Sequence, residues 1–225
     1  QANLASNFSA FVETLEEAGA DYRLAVTTTD VMNAEWCGTT SPENGKLQAS
    51  SCRERLSAFT SQSGATNVQD IACTDICSLE ELGLRPTQVE GGTGPEVRPW
   101  IQVGGSETNL PGGVSGSEAF SCMAPQGIDG CGFESPLEAL RLALLRMHNP
   151  SEPEFGFMRE DAELSVIIVT DEVDCSTSEH GDTIFDPGGN RVFWSDPNSN
   201  SPTSAICWNA GVRCTGDASG YDDCV

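Results

Sequence analysis

Basic residues are scarce in this chain. Eleven lysines and arginines stand against 34 aspartates and glutamates in 225 residues, a net charge of −23. Such a surface repels phosphate backbones, which argues against nucleic acid as a partner, and it suits cation binding and solubility in salt. Histidine is nearly missing: only His148 and His180 are present, and no Cys-x-x-Cys pair occurs, so a zinc framework has little to stand on. His-Glu-x-x-His is absent as well. A Gly-x-Ser-x-Gly nucleophile elbow is also lacking, since Gly113-Val114-Ser115-Gly116-Ser117 fails at its last position. The residues contain no signal peptide, lipidation motif or apolar run long enough for a membrane span. Hydrophobic content is 38%, low for a compact domain, which predicts long polar loops around a modest core.

Cysteine, by contrast, is plentiful. Ten in one chain, an even number with several close spacings, read as disulfides and hence as an oxidising compartment. This predicts a secreted, periplasmic or cell-surface protein, with no thiol left as a nucleophile. Many connectivities are open to ten cysteines. Local pairing is the expectation: Cys37 with Cys52, Cys73 with Cys77, Cys122 with Cys131, and Cys214 with Cys224, leaving Cys175 with Cys207. The start at Gln1 and the end just after Cys224 read as cuts from a longer polypeptide.

The stretch that organises the reading is Leu164-Ser165-Val166-Ile167-Ile168-Val169-Thr170-Asp171-Glu172. Its β-branched run has no helical period and suits a strand buried on both faces. It ends in three polar side chains, at the strand edge where open α/β sheets bind ligands. Residues 22–30 form a second polar-tipped strand, ending in Thr27-Thr28-Thr29-Asp30. Before it, residues 2–18 carry one apolar stripe, with Gly19 as a C-terminal cap. Residues 136–148 are a second helix, with Ser135 as N-cap, Pro136 in the first turn and Glu138 completing a capping box. Leu137, Leu140, Leu144 and Met147 are its expected inward face, and His148 is a cation at its carboxyl end. Helices and parallel strands in this order predict an α/β, doubly wound, mostly parallel sheet.

Shorter elements fill in around these. Asn44-Gly45 signals a tight turn, residues 46–50 a short edge strand, and residues 53–60 a short helix. Residues 61–116 form a Gly/Pro-rich insertion, with helical stubs expected at 66–72 and 78–83 and with Trp100 and Ile101 as its anchors. Residues 117–123 read as a helical turn. Residues 176–225 are an irregular, acidic, Cys-rich segment with a small hairpin expected near 184–194. Asp196-Pro197-Asn198-Ser199-Asn200 has the spacing of a calcium loop without its glycine and closing glutamate, so it reads as a polar loop. The whole is expected to be one domain.

A helix leading to a polar-tipped strand, Gly130-Cys131-Gly132-Phe133-Glu134 leading into a capped helix, and Val169-Thr170-Asp171-Glu172-Val173-Asp174-Cys175-Ser176 follow one another in a fixed order. This order resembles the von Willebrand factor type A domain, in the cysteine-rich version of exported bacterial proteins. The resemblance covers about residues 1–50 and 117–175. It implies a doubly wound sheet with a divalent-cation adhesion site on its upper edge, holding Mg²⁺ or Ca²⁺. Asp171 matches the family's third metal loop. Glu134 stands where the second loop supplies threonine, with Ser135 beside it. The family's first loop, an Asp-x-Ser-x-Ser ahead of the first helix, has no counterpart because Gln1 already lies in that helix. The first strand and the last strands of the family fold have no counterpart either, so the domain is expected to be incomplete.

The implied metal ligands are Asp171 and Glu134, with Ser135, Thr29, Asp30 and Glu172 as contributors at the same edge. The implied function is an exported adhesion or ligand-binding module that takes an acidic group of a protein or surface ligand. The alternative is a secreted hydrolase, or a subunit of one, using acidic residues at the strand tips as general acid and base.

Overall fold

A computed structural model describes residues 2–31, 42–61, 63–104, 107–178, 181–217 and 220–224. The first helix, α1 (Ala2–Glu17), falls where the apolar stripe puts it, whereas strand β1 (Tyr22–Leu24) covers only the first three residues of the strand expected over 22–30. A turn at Asn44-Gly45 follows, with Gly45 at φ 74°. Side chains rarely adopt that conformation, and a Cβ on Gly45 would also come within 2.5 Å of the Ala143 amide nitrogen, so glycine lets the turn lie against the later helix at residues 136–147.

Ser51 then opens a 3-10 helix, Cys52–Phe59, with a complete capping box through Glu54. A short π-helical turn, Asp70–Thr74, is the only helical part of the two stubs expected at 66–72 and 78–83. Strand β2 (Ile101–Val103) lies inside the Gly/Pro-rich insertion. Helices α2 (Gly116–Met123) and α3 (Pro136–Met147) follow close to their expected bounds. After a 3-10 turn, Gly181–Phe185, the chain ends in α4 (Ala205–Gly211) and the strands β3 (Cys214–Asp217) and β4 (Gly220–Cys224).

Among the described residues the expected doubly wound parallel sheet is absent. The strands form two separate two-stranded antiparallel sheets, β1 with β2 and β3 with β4. In the first, Tyr22 pairs with Val103, Arg23 with Gln102 and Leu24 with Ile101. The partner of β1 therefore comes from the insertion, where high glycine and proline content hides a three-residue strand. Asn109 is what makes that strand possible. It is fully buried, accepts from the Gln102 amide at 2.7 Å and donates to the Trp100 carbonyl at 2.7 Å. Edge strand 46–50 shrinks to one bridge, Gln48 with Val26.

The organising strand is not a strand at all. Residues 164–169 lie in no sheet and make no hydrogen bond to described residues. Val166 is 47% exposed and Ile167 62%. A β-branched run becomes a strand only when a neighbour completes its ladder. Here no described segment does.

Three apolar clusters hold the rest. Phe59, Ile101, Leu110, Phe120 and Met123 form the largest, stapled by the disulfides Cys52–Cys73 and Cys77–Cys122. Leu47, Val89, Trp100, Ala143 and Met147 form the second. Trp100 and Ile101 anchor the insertion, as expected, both fully buried. A third cluster, Phe185, Trp194 and Ile206 around Cys175–Cys207, gives the carboxyl-terminal segment its own small core. Instead of a hairpin near 184–194, the Trp194 indole donates to the Ile184 carbonyl at 2.8 Å.

Of the expected pairs, Cys175–Cys207 is present. Cys52–Cys73 replaces Cys37–Cys52, and Cys77–Cys122 replaces both Cys73–Cys77 and Cys122–Cys131. Closeness in sequence misleads here because the folded-in insertion brings distant cysteines together. Cys131 and Cys214 are disulfide-bonded too, and the Cys214 backbone pairs with Cys224 in the β3–β4 register. Cys37 and His180 lie outside the described residues.

Helix α3 turns inward a face that overlaps the expected one at Met147 and partly at Leu140 and Leu144 but is shifted away from Leu137. Pro136, Ala139, Ala143 and Met147 are buried, while Leu137 is 55% exposed. The Gly45 turn lies against the helix backbone at Ala139 and Ala143 and against Leu142. Ser135 makes no side-chain cap. Its own amide donates to the Thr29 carbonyl at 2.9 Å. The cap comes from further along the chain: the Glu138 amide donates to the Ser176 hydroxyl at 2.8 Å, and the Leu137 amide to Asp174 at 3.5 Å. The Glu138 carboxylate instead takes two bonds from Arg141, each 2.6 Å, which hold it below the usual carboxylate range. His148 sits at the helix end with Nδ1 2.8 Å from the Leu144 carbonyl.

Candidate functional site: a frame of two stretches around a cavity

Two extended stretches, residues 21–30 and 157–170, are tied together at both ends. At their amino ends, Arg159 forms an ion pair with Asp21 at 2.7 Å and also donates to the Asp21 carbonyl. Arg23 donates to the carbonyls of Gly156 and Phe157. At their carboxyl ends, the loop 131–135 is the link. The Ser135 amide bonds the Thr29 carbonyl, and the Thr170 hydroxyl donates to the Glu134 carboxylate at 3.0 Å. The Glu134 carbonyl accepts from the Cys175 amide at 2.7 Å. The two stretches therefore run in the same direction. Between these ties no hydrogen bond joins residues 24–28 to residues 164–169.

What lies there is a cavity of about 2080 Å³. Residues 20–30 line it without a break, as do 156–167 and 169–172. Phe59, Phe120, Leu140 and Leu144 add apolar wall. Ligand pockets for small molecules run to about 1,000 Å³, so this space is about twice that size.

The carboxyl end of the frame is acidic. Asp30, Glu43, Asp129, Glu134, Asp171 and Glu172 all line the cavity. Asp30 is the most unusual of them. It is 8% exposed, and its Oδ1 has no hydrogen-bond partner. Burial first, then the charge of Glu43, raises its pKa; the Cys131 amide works against this and Asp129 adds to it. Glu43 is held in place by the Thr28 hydroxyl at 2.9 Å.

Of the residues expected at this edge, Asp171, Glu134, Thr29, Asp30 and Glu172 do line one cavity. Ser135 is buried, with its hydroxyl turned to the Phe133 carbonyl at 3.4 Å. Glu43 and Asp129 were not foreseen. Glu43 lies beside the Asn44-Gly45 turn, and Asp129 sits just before Gly130-Cys131, so turn signals mark both positions without marking the shared site.

Oxygen donors of this kind suit Mg²⁺ or Ca²⁺, and an unpartnered buried carboxylate oxygen is the sort of atom a cation satisfies. Among the described residues, no three such side chains converge on one point. One or two protein carboxylates would hold a cation here, and water and ligand would complete its shell, the mode that Mg²⁺ favours. The polar loop at Asp196 is closed by its own backbone, with Asp196 Oδ1 accepting from the Asn198 amide at 2.9 Å. Among the described residues no helix is long and apolar enough to cross a membrane. No protein-family model, no curated protein and no solved structure matches this chain.

Proposed function

We propose that this protein is an exported binding module that grips an acidic group of its partner through a divalent cation at the acidic end of the cavity. The observation that supports this best is Asp30, buried among carboxylates with one oxygen unpartnered. A bound cation supplies positive charge that offsets this crowding and leaves a coordination position open to a partner's carboxylate. Within the chain, Asp30 and Asp171 are the cation-holding carboxylates. Glu134 positions the end of the 164–170 stretch through Thr170. The disulfides are of the kind that persist in oxidising compartments, which supports an exported protein.

The test is calorimetric titration with MgCl₂ or CaCl₂ alone, followed by capture on a carboxylate-coated surface with and without cation. Saturable cation uptake and cation-dependent capture are expected, both lost in Asp171→Ala while the thermal transition stays in place. Capture unaffected by a chelator, or cation uptake unchanged in that variant, overturns the reading.

A further inference from the structure

The frame has the shape and chemistry of a site for one more strand. Residues 164–169 present six backbone donors and acceptors without hydrogen bonds to described residues, above side chains that are mostly β-branched and exposed. Unpaired strand edges of this kind are templates for another chain. The six residues span about 20 Å in extended form. The stretches beside the cavity run in the same direction and are joined near their ends, by Arg159–Asp21 and Arg23 to Gly156 and Phe157 at one end and through the loop of Glu134 and Ser135 at the other. A β-strand needs about 4.8 Å on each side for its ladder. It also needs apolar cover on both faces if it is to lie inside, and Phe120, Leu140 and Leu144 provide apolar wall.

We infer that the cavity receives an extended segment of another polypeptide, which pairs with residues 164–169. Charge complementarity specifies its chemistry further. The carboxyl end of the frame carries Asp30, Glu43, Asp129, Glu134, Asp171 and Glu172. The incoming segment is therefore six or so apolar, β-branched residues with a lysine or arginine at the end that meets these carboxylates. That basic group takes the place of the divalent cation and competes with it, so this ligand is distinct from the acidic partner held through the cation. Lipid would match the apolar wall but not the unpaired amides. A second copy of this chain brings the same acidic charge and is repelled.

The test uses a fluorescent heptapeptide, Arg-Val-Ile-Val-Ile-Val-Arg, and its twin with alternate amides N-methylated. Hydrogen exchange of residues 165–169 is followed alongside anisotropy. The first peptide is expected to bind saturably and to slow exchange at 165–169. The N-methylated twin, of nearly equal apolarity, is expected to bind at least about tenfold more weakly, the worth of a few ladder hydrogen bonds. Ile167→Pro removes a backbone donor at an exposed position. It is expected to abolish binding with an unchanged far-ultraviolet spectrum. Equal binding of the two peptides overturns the inference, as does peptide binding without protection at 165–169. So does protection that rises with protein concentration in the absence of peptide, which identifies a second copy as the occupant.

Discussion

The Thr170 hydroxyl donates to Oε2 of Glu134 at 3.0 Å, and that bond joins the end of an otherwise unpaired stretch to the loop before α3. The same loop reaches residues 21–30 through the Ser135 amide. Two segments about 140 residues apart in the chain are thus held side by side without being paired. The acidic end of the cavity exists because this loop stands between them.

Because Thr170 is exposed, its bond contributes little to global stability. Thr170→Val is expected to cost at most about 1 kcal/mol in urea denaturation. Its larger effect is local, with faster hydrogen exchange at residues 171–175, whose only backbone tie in this network is Cys175 to Glu134. A cost of several kcal/mol would mean that the stretch is integral to the folded core.

The insertion depends on one disulfide in particular. Cys77–Cys122 closes a separation of 45 residues and joins the insertion's first part to α2 within the main cluster. Replacing both cysteines with alanine is expected to cost about 4 kcal/mol by chain entropy. Peptide mapping without reduction is expected to recover Cys52–Cys73, Cys77–Cys122 and Cys175–Cys207. Recovery of a Cys73–Cys77 peptide would refute the arrangement of the core.

Asn109 carries the third prediction. Its side chain satisfies the Gln102 amide and the Trp100 carbonyl inside the core. Asn109→Leu leaves both backbone groups buried without partners, at a cost of about 1–3 kcal/mol each. The variant is expected to lower the thermal midpoint and to release β2 from β1, seen as faster exchange at residues 101–103. An unchanged midpoint would show that these backbone groups find other partners.

Local signals in the sequence were legible where local physics decides. The stripe of α1, the Asn44-Gly45 turn, and the bounds of α2 and α3 all follow from side-chain period, glycine and proline. What failed is what depends on partners. A β-branched run such as Val166-Ile167-Ile168-Val169 announces a strand, but not whether a neighbour is present to pair with it. The three residues of β2 give no signal against a Gly/Pro-rich background, because Asn109, Thr108 and the pairing with β1, all reached by folding, satisfy their backbone. Cysteine spacing missed two of the bridges described, since long-range folding of the insertion sets them, and Cys175–Cys207 was reached only as the pair left over. The acidic edge was half visible. Asp171 and Asp30 stand at the ends of apolar runs, whereas Glu43 and Asp129 reach the cavity only through turns.

Asp30 gives the last prediction, and its sign follows from burial. The groups around it are Glu43 and Asp129, both of which raise its pKa, and the Cys131 amide, which lowers it. The Thr28 hydroxyl accepts from the Asp30 amide at 3.4 Å. With a folded pKa above the unfolded value of about 3.9, the native state holds this proton more tightly than the unfolded chain. Stability therefore falls as pH rises from the unfolded value through the folded one, and stays lowered above it. Asp30→Asn removes the buried charge. It is expected to be more stable than the parent protein at neutral pH, with the difference closing as pH drops below about 4. A bound divalent cation offsets the same penalty. Millimolar MgCl₂ or CaCl₂ is thus expected to stabilise the parent protein at pH 7 and leave Asp30→Asn unmoved, as read from denaturation midpoints at each pH. If the asparagine variant is less stable at pH 7, the carboxylate is already satisfied in the folded protein and the cation has no place beside it.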